Sequence, residues 1–371
     1  MLQQKKSDNL LLFTHTGNTG GGAIFDIIIR QYSREQVIFA PNELELGLNN
    51  NNLFLLSYLP ENYLEKIKMI GGHSISYGIH NYLNVPCSYI TLVREPVEHI
   101  ISTYYWSLEN KSSFSRVIID NQIIPFEKAC LSVSNFQLSL ILGYAPKNME
   151  DLEKGKEIIK KHFAFISVTE MFDEIIFFMK LELNWKKHIF WYIRHKTKKR
   201  PKREELPDGL ITKIIQNNEL DYQLYYFIKK LMNERINSLN PEQQRKLKEY
   251  SVKRKIFTDL AGLSSTEFLQ FEDFLTFIVE NCDKKLILFA PEFNSKTKII
   301  FDYVKEINDK FSGNISIQNS NEFILNINGE LQLTNFDYLI IISEKEEATL
   351  KILLNKGIDV HKIVTFSLGE Y

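Results

Sequence analysis

The chain has 371 residues, more than one hydrophobic core usually organises, so two domains are expected. Apolar residues make up 44% and charged residues 25%, the proportions of an ordinary globular protein. The formal net charge of −1 gives no global pull toward nucleic acid or anionic lipid, so any anion site must be local.

The first residues, MLQQKKSDNLLLFTHTG, hold an apolar run too short for a signal sequence or a bilayer span. No later stretch reaches eighteen apolar residues, and the expectation is a cytoplasmic protein without a membrane span. Cys87, Cys130 and Cys282 stand far apart with no CxxC or Cys/His cluster. They read as buried apolar residues, and neither a disulfide framework nor a metal site is expected.

Residues 9–14 form a continuous apolar run ahead of glycines, the pattern of a buried parallel strand. From Ala23 to Arg30 apolar residues recur at helical spacing, so strand, glycine loop and helix follow in order. Val37–Ala40 reads as a strand ended by Pro41, and 43–52 as an exposed polar loop. A helix is predicted from Pro60 to Met69, a short one around Tyr77–Leu83, and a strand at Ser88–Val93. Pro96 then opens a helix to Glu109. Further helices are predicted at 126–131, 135–142, 149–162, 171–183, 208–217 and 221–250, with a strand at Phe163–Val168. After Asn281 a smaller unit begins, with strands at 286–290, 315–317, 323–327, 338–342 and 362–366 and helices at 295–311 and 344–354. The pattern defines an α/β protein, with domains at 1–280 and 283–371.

A glycine loop between a strand and a helix turns backbone N–H groups toward the positive end of the helix dipole, a cradle for phosphate. Gly17, Gly20, Gly21 and Gly22 permit close approach, and Thr19 adds a hydroxyl. The loop is not a triphosphatase P-loop: Ala23 and Ile24 stand where GxxxxGK[ST] needs lysine and Ser/Thr. It suits a phosphate donor handled without magnesium. A second anion site is expected at Arg94, with Ser102 two helical turns on; arginine clamps phosphate bidentately and serine adds a donor. A surface ion pair of Arg94 with Glu95 or Glu98 is the competing reading.

FTHTGNTGGGAI resembles the 5'-phosphosulfate loop of glycan sulfotransferases, F-I-H-I-P-K-T-G-G-T-S-L. YITLVREPVEHIISTYYW is similar to their 3'-phosphate element, Y-I-T-L-L-R-D-P-V-E-R-x-x-S-x-Y-Y. NFQLSLILGY, FAFISVTEMFDE and ELDYQLYYF resemble later segments, so the likeness spans residues 9–230. The family is that of carbohydrate sulfotransferases using 3'-phosphoadenosine 5'-phosphosulfate (PAPS), of the heparan sulfate 2-O-sulfotransferase-like kind. The resemblance implies a P-loop-like three-layer αβα core and sulfuryl transfer from PAPS to a carbohydrate hydroxyl. It further implies that Gly17, Asn18, Thr19, Gly20, Gly21 and Gly22 hold the 5'-phosphosulfate and that Arg94 and Ser102 hold the 3'-phosphate. Lys198 and Arg200, in the stretch Lys196–Arg203, fall where relatives carry a basic loop over the nucleotide; a solvated charged loop is the alternative.

His73 falls where similar enzymes carry a catalytic histidine, and imidazole suits a base near neutral pH. His15 matches a loop-positioning histidine, His80 is a second candidate base, and Glu170 matches a position on the nucleotide side. Three departures stand out. Asn18 replaces the family's loop lysine, Gly17 the proline before it, and Ser139 the arginine of N-x-Q-T-R. Loss of the lysine opens the alternative of a non-catalytic or weakly active nucleotide-binding scaffold. The C-terminal unit looks like small Rossmann-like modules of bacterial sugar-modifying enzymes. Its first turn, Ala290–Asn294, lacks the glycines a pyrophosphate needs. Acceptor recognition, homo-oligomer formation or docking to a glycan-assembly partner are its expected roles, and nucleic acid is not an expected partner.

Overall fold

The computed structural model describes residues 9–40, 53–110, 117–119, 122–187 and 200–259, the single residues 189, 191 and 197, and, further on, chiefly strands. The chain divides into two compact units, Met1–Leu247 and Lys248–Tyr371, earlier than the change of pattern after Asn281.

The first unit is built on β1 (Leu10–Thr14), α1 (Gly21–Gln31), β2 (Val37–Ala40), α2 (Glu61–Leu64), β3 (Met69–Gly72), β4 (Cys87–Val93) and α3 (Pro96–Glu109). A two-stranded hairpin, β5 (Ile118–Ile119) and β6 (Gln122–Ile123), follows, and then α4 (Phe126–Ala129), α5 (Phe136–Leu142) and α6 (Met149–His162). The unit continues with β7 (Phe163–Val168), α7 (Phe172–Glu182), α8 (Asp208–Asn217), α9 (Glu219–Asn237) and α10 (Pro241–Asp259), which runs across the division. Five strands form a parallel sheet in the order β2-β3-β1-β4-β7, flanked by helices. β1 lies in the middle, which is why all five of its residues are buried and why its sequence is apolar without alternation. Ile24, Ile27 and Ile28, at helical spacing, form the buried face of α1. The opposite end of the fold's logic is α3, whose Val97, Ile101 and Tyr104 join Phe126, Cys130 and Ile214 in a separate apolar cluster.

Two expectations are corrected. The helix predicted from Pro60 to Met69 is only the short α2, and Met69 instead opens β3. Met69 and Ile70 are fully buried between β2 and β1, so pairing on both edges overrides a locally helical pattern. Gly71 lets the strand lie there: a Cβ would come 3.0 Å from Phe13 and 3.1 Å from Phe25. The single helix predicted over 221–250 is two helices. Asn240 caps the second, its carboxamide oxygen accepting from Gln243 N–H at 2.9 Å while Gln243 accepts from Asn240 N–H at 3.1 Å. Pro241, lacking an N–H, takes the first helical position.

In the second unit β8 (Lys285–Ala290), β9 (Asn314–Asn319), β10 (Tyr338–Ser343) and β11 (Ile363–Ser367) form a parallel sheet in the order β11-β10-β8-β9. The loop at 43–52, the strand at 323–327 and the helix at 344–354 lie outside the described residues. So does most of the helix at 295–311, of which Phe301, Val304 and Lys305 are helical. Among the described residues no helix is long and apolar enough to cross a membrane.

Candidate anion-binding site at the end of β1

Residues His15 to Gly20 link the C-terminal end of the central strand to α1. This is the edge at which open parallel sheets hold ligands. Asn18 has φ 59° and Gly20 φ 93°, so two left-handed residues fold the loop back on itself. Asparagine tolerates that conformation better than the lysine of the family pattern.

Every carbonyl from Thr16 to Gly20 is held by the protein. Thr16 C=O accepts from Thr19 Oγ1 at 2.7 Å, Gly17 C=O from His99 Nε2 at 2.9 Å, and Asn18 C=O from Arg94 Nη1 at 3.1 Å. Thr19 C=O accepts from Thr169 Oγ1 at 3.1 Å, and Gly20 C=O from Ala23 N–H at 3.0 Å. The amides of Gly17 through Gly22, by contrast, meet no backbone acceptor among the described residues. The loop thus has its acceptors tied to the protein and its amides without a backbone acceptor among the described residues, at the positive end of an eleven-residue helix, the arrangement an anion needs. Gly21 is required: a Cβ there would lie 2.0 Å from His15 Cδ2. Beside Gly22 the space is open, with nothing within 4 Å of a Cβ.

The α3 helix supplies the second wall. Glu95 caps it, accepting from Glu98 N–H at 2.7 Å, and Glu98, His99, Ser102 and Thr103 follow at helical spacing on one stripe. Thr103 Oγ1 accepts from Asn18 Nδ2 at 3.2 Å. Ser102 is buried on the same stripe of α3. Arg94 is paired with Glu98 at 3.2 Å, and Glu98 also binds Arg200 at 2.9 Å. Arg94 thus makes the ion pair of the competing reading, and its guanidinium also donates to the loop carbonyl of Asn18. Arg203 binds Glu95 at 2.8 Å, and Glu170 lies near both Arg94 and Tyr225. Among the described residues, Arg94, Arg200 and Arg203 thus lie with Glu95, Glu98 and Glu170 beside the loop. Lys198 lies outside the described residues.

The histidines divide by role. His73 Nδ1 lies 3.0 Å from His15 C=O, so Nδ1 carries the proton and Nε2 is the basic nitrogen. Its ring stacks on His15 at 4.1 Å, and its Cε1 comes 3.8 Å from where a Cβ on Gly17 would sit, which sets the imidazole beside the loop. Burial lowers the His73 pKa and keeps the imidazole neutral. Burial, then the His73 ring, lowers the His15 pKa to about 3; burial lowers that of His99 to about 4, against its bond to Gly17. Both are neutral structural groups. His80 sits elsewhere: Tyr89 Oη accepts from Gly78 and His80 N–H groups and donates to His80 Nδ1 at 2.9 Å. It does not share the loop site. Ser139 donates to Phe136 C=O at 2.6 Å within α5.

Sequence reasoning missed His99, Thr103, Thr169 and the buried Gln137. The departure V-E-H from the family's V-E-R was the one signal for His99. The others carry no local signature, because their partners lie far away in the chain. Compared with family models and with curated proteins, the sequence matches none.

Proposed function

We propose that the loop from Thr16 to Gly22 binds the 5'-phosphosulfate of PAPS and that the chain transfers its sulfuryl group to a carbohydrate hydroxyl. The observation that carries this reading is the loop's polarity, with five successive carbonyls tied down and the amides without a backbone acceptor among the described residues. Arg94 and the buried hydroxyl of Ser102 supply a second anion contact one strand away, as a nucleotide phosphorylated at 3' and 5' requires. The core is accordingly read as a P-loop-like sulfotransferase core, and the second unit as a small Rossmann-like module. His73 Nε2 accepts the acceptor's hydroxyl proton as the new O–S bond forms. The old S–O bond breaks, and adenosine 3',5'-bisphosphate leaves. The loop amides stabilise charge growing on the departing phosphate.

A binding protein without turnover is the second reading, favoured by two observations: Asn18 spends its side chain on Thr103, and the described arginines near the loop are paired with glutamates. Titration calorimetry with adenosine 3',5'-bisphosphate, followed by transfer of labelled sulfate from PAPS to a panel of glycans, separates the two. No binding at millimolar nucleotide removes both readings. Binding without transfer supports the second. His73→Ala is expected to abolish transfer and leave nucleotide affinity within about twofold; full activity in that variant refutes the base assignment.

A further inference from the structure

Gln137 is 1% exposed, and its carboxamide makes two bonds to the backbone of a single residue. Oε1 accepts from Arg94 N–H at 2.7 Å and Nε2 donates to Arg94 C=O at 2.8 Å. Arg94 is the first residue beyond β4, where no neighbouring strand continues to pair with its backbone. The carboxamide substitutes for that missing strand. Gln137 is itself held from α9: Asp221 Oδ2 accepts from Gln137 N–H at 3.0 Å and Oδ1 from Leu138 N–H at 2.8 Å. Asn135 and Asp221 close the arrangement through Asp221 N–H and Asn135 Oδ1 at 3.1 Å. A continuous hydrogen-bonded path therefore runs from Asp221 through Gln137 and Arg94 to Asn18 C=O in the loop.

We propose that Gln137 is a positioning residue that aims the Arg94 guanidinium, and so sets how tightly the site grips a nucleotide's 3'-phosphate. The inference rests on the reading of the loop as a PAPS site. Gln137 touches no ligand; it acts by fixing where the strand ends and hence where the arginine side chain starts. Packing alone does not call for glutamine here. A methionine would fill the same volume, but it would leave Arg94 N–H and C=O unpaired in a part-buried place.

The test compares two ligands on one protein. Adenosine 3',5'-bisphosphate engages both the loop and Arg94, whereas adenosine 5'-phosphate engages the loop alone. Gln137→Met is expected to weaken the bisphosphate about tenfold and the 5'-phosphate by less than twofold. A general loosening of the fold would weaken both alike, and that result overturns the inference, as does an unchanged bisphosphate affinity. Gln137→Glu keeps the acceptor for Arg94 N–H and is expected to fall between wild type and Gln137→Met. It carries the same comparison if the methionine variant does not fold. If the wild-type protein binds neither nucleotide, the PAPS reading fails and takes the inference with it. If it binds both equally, the loop reading survives and the role of Arg94, with that of Gln137, is refuted.

Discussion

Two adjacent glycines, Gly21 and Gly22, make opposite predictions for the same substitution. A Cβ on Gly21 would stand 2.0 Å from His15 Cδ2 and 2.2 Å from Nε2, far inside contact distance. The ring has to swing away, and it is stacked on His73 at 4.1 Å and packed against Phe25 at 5.3 Å and Phe13 at 5.5 Å. Loss of such ring contacts costs about 0.5–1.5 kcal/mol each. Gly→Ala at a helical position returns roughly 0.5–1 kcal/mol. The net for Gly21→Ala is about 2–3 kcal/mol of destabilisation, within the usual range for an overfilled core. For a unit of this size that lowers Tm by roughly 5–10 °C. Gly22→Ala meets nothing and is expected to raise Tm by about 2–3 °C. Trp106, Trp185 and Trp191 all belong to the first unit, so tryptophan fluorescence during heating follows it alone. A Gly21→Ala protein melting within a degree of wild type would show that the His15 stack does not hold the loop, and would refute the argument.

Asn18→Lys restores the family's cation at a left-handed position. It is expected to cost about 1 kcal/mol in stability while tightening adenosine 3',5'-bisphosphate about tenfold, both read by calorimetry. Weaker binding than wild type refutes the idea that position 18 faces the phosphosulfate. Acid should destabilise the first unit. His15 and His99 are held neutral, with pKa lowered to about 3 and about 4, so the unfolded chain binds more protons and stability is lost as pH falls below about 6.5. From pH 7 to 5 the two lose roughly 4 kcal/mol together at about 1.36 kcal/mol per pH unit each. Asp221 opposes them, because burial raises its pKa to about 6 and its contribution grows as pH falls through that value, by about 1.4 kcal/mol at pH 5. A net loss of about 2–3 kcal/mol is expected in urea unfolding followed by tryptophan fluorescence. His99→Gln keeps a donor for Gly17 C=O and should remove about half of the histidine part; an unchanged slope refutes the assignment.

Much of the first unit was legible because its signals are local. Asn9 to Thr14 reads as a buried strand from its apolar run alone, and Pro96 marks the start of α3. β3 was not legible, since four residues ending in two glycines carry no strand signal and owe their shape to neighbours on both sides. The break between α9 and α10 was legible in Asn240-Pro241 and its capping partner Gln243, yet the longer helical periodicity masked it. At the site, pattern pointed to Gly17–Gly22, Arg94, Ser102 and His73; of these, Arg94 donates to the loop at Asn18 C=O and the His73 ring lies beside Gly17. What fixes them there was hidden: Thr169, Gln137 and Asp221 act through hydrogen bonds across long stretches of chain, which no spacing in the sequence encodes.

The tied carbonyls have a consequence for when the loop becomes competent. Its residues, Thr16 to Gly22, precede their anchors in the chain: Arg94 is 76 residues beyond Asn18, His99 is 82 beyond Gly17, and Thr169 is 150 beyond Thr19. A chain growing from its N-terminus therefore makes the loop early and fastens it late, after β7 has joined the sheet. An anion taken up by the loop would then report completed assembly of the unit. By linkage, a ligand at a hundred times its Kd would return about 2.7 kcal/mol to the finished fold and none to a partial one.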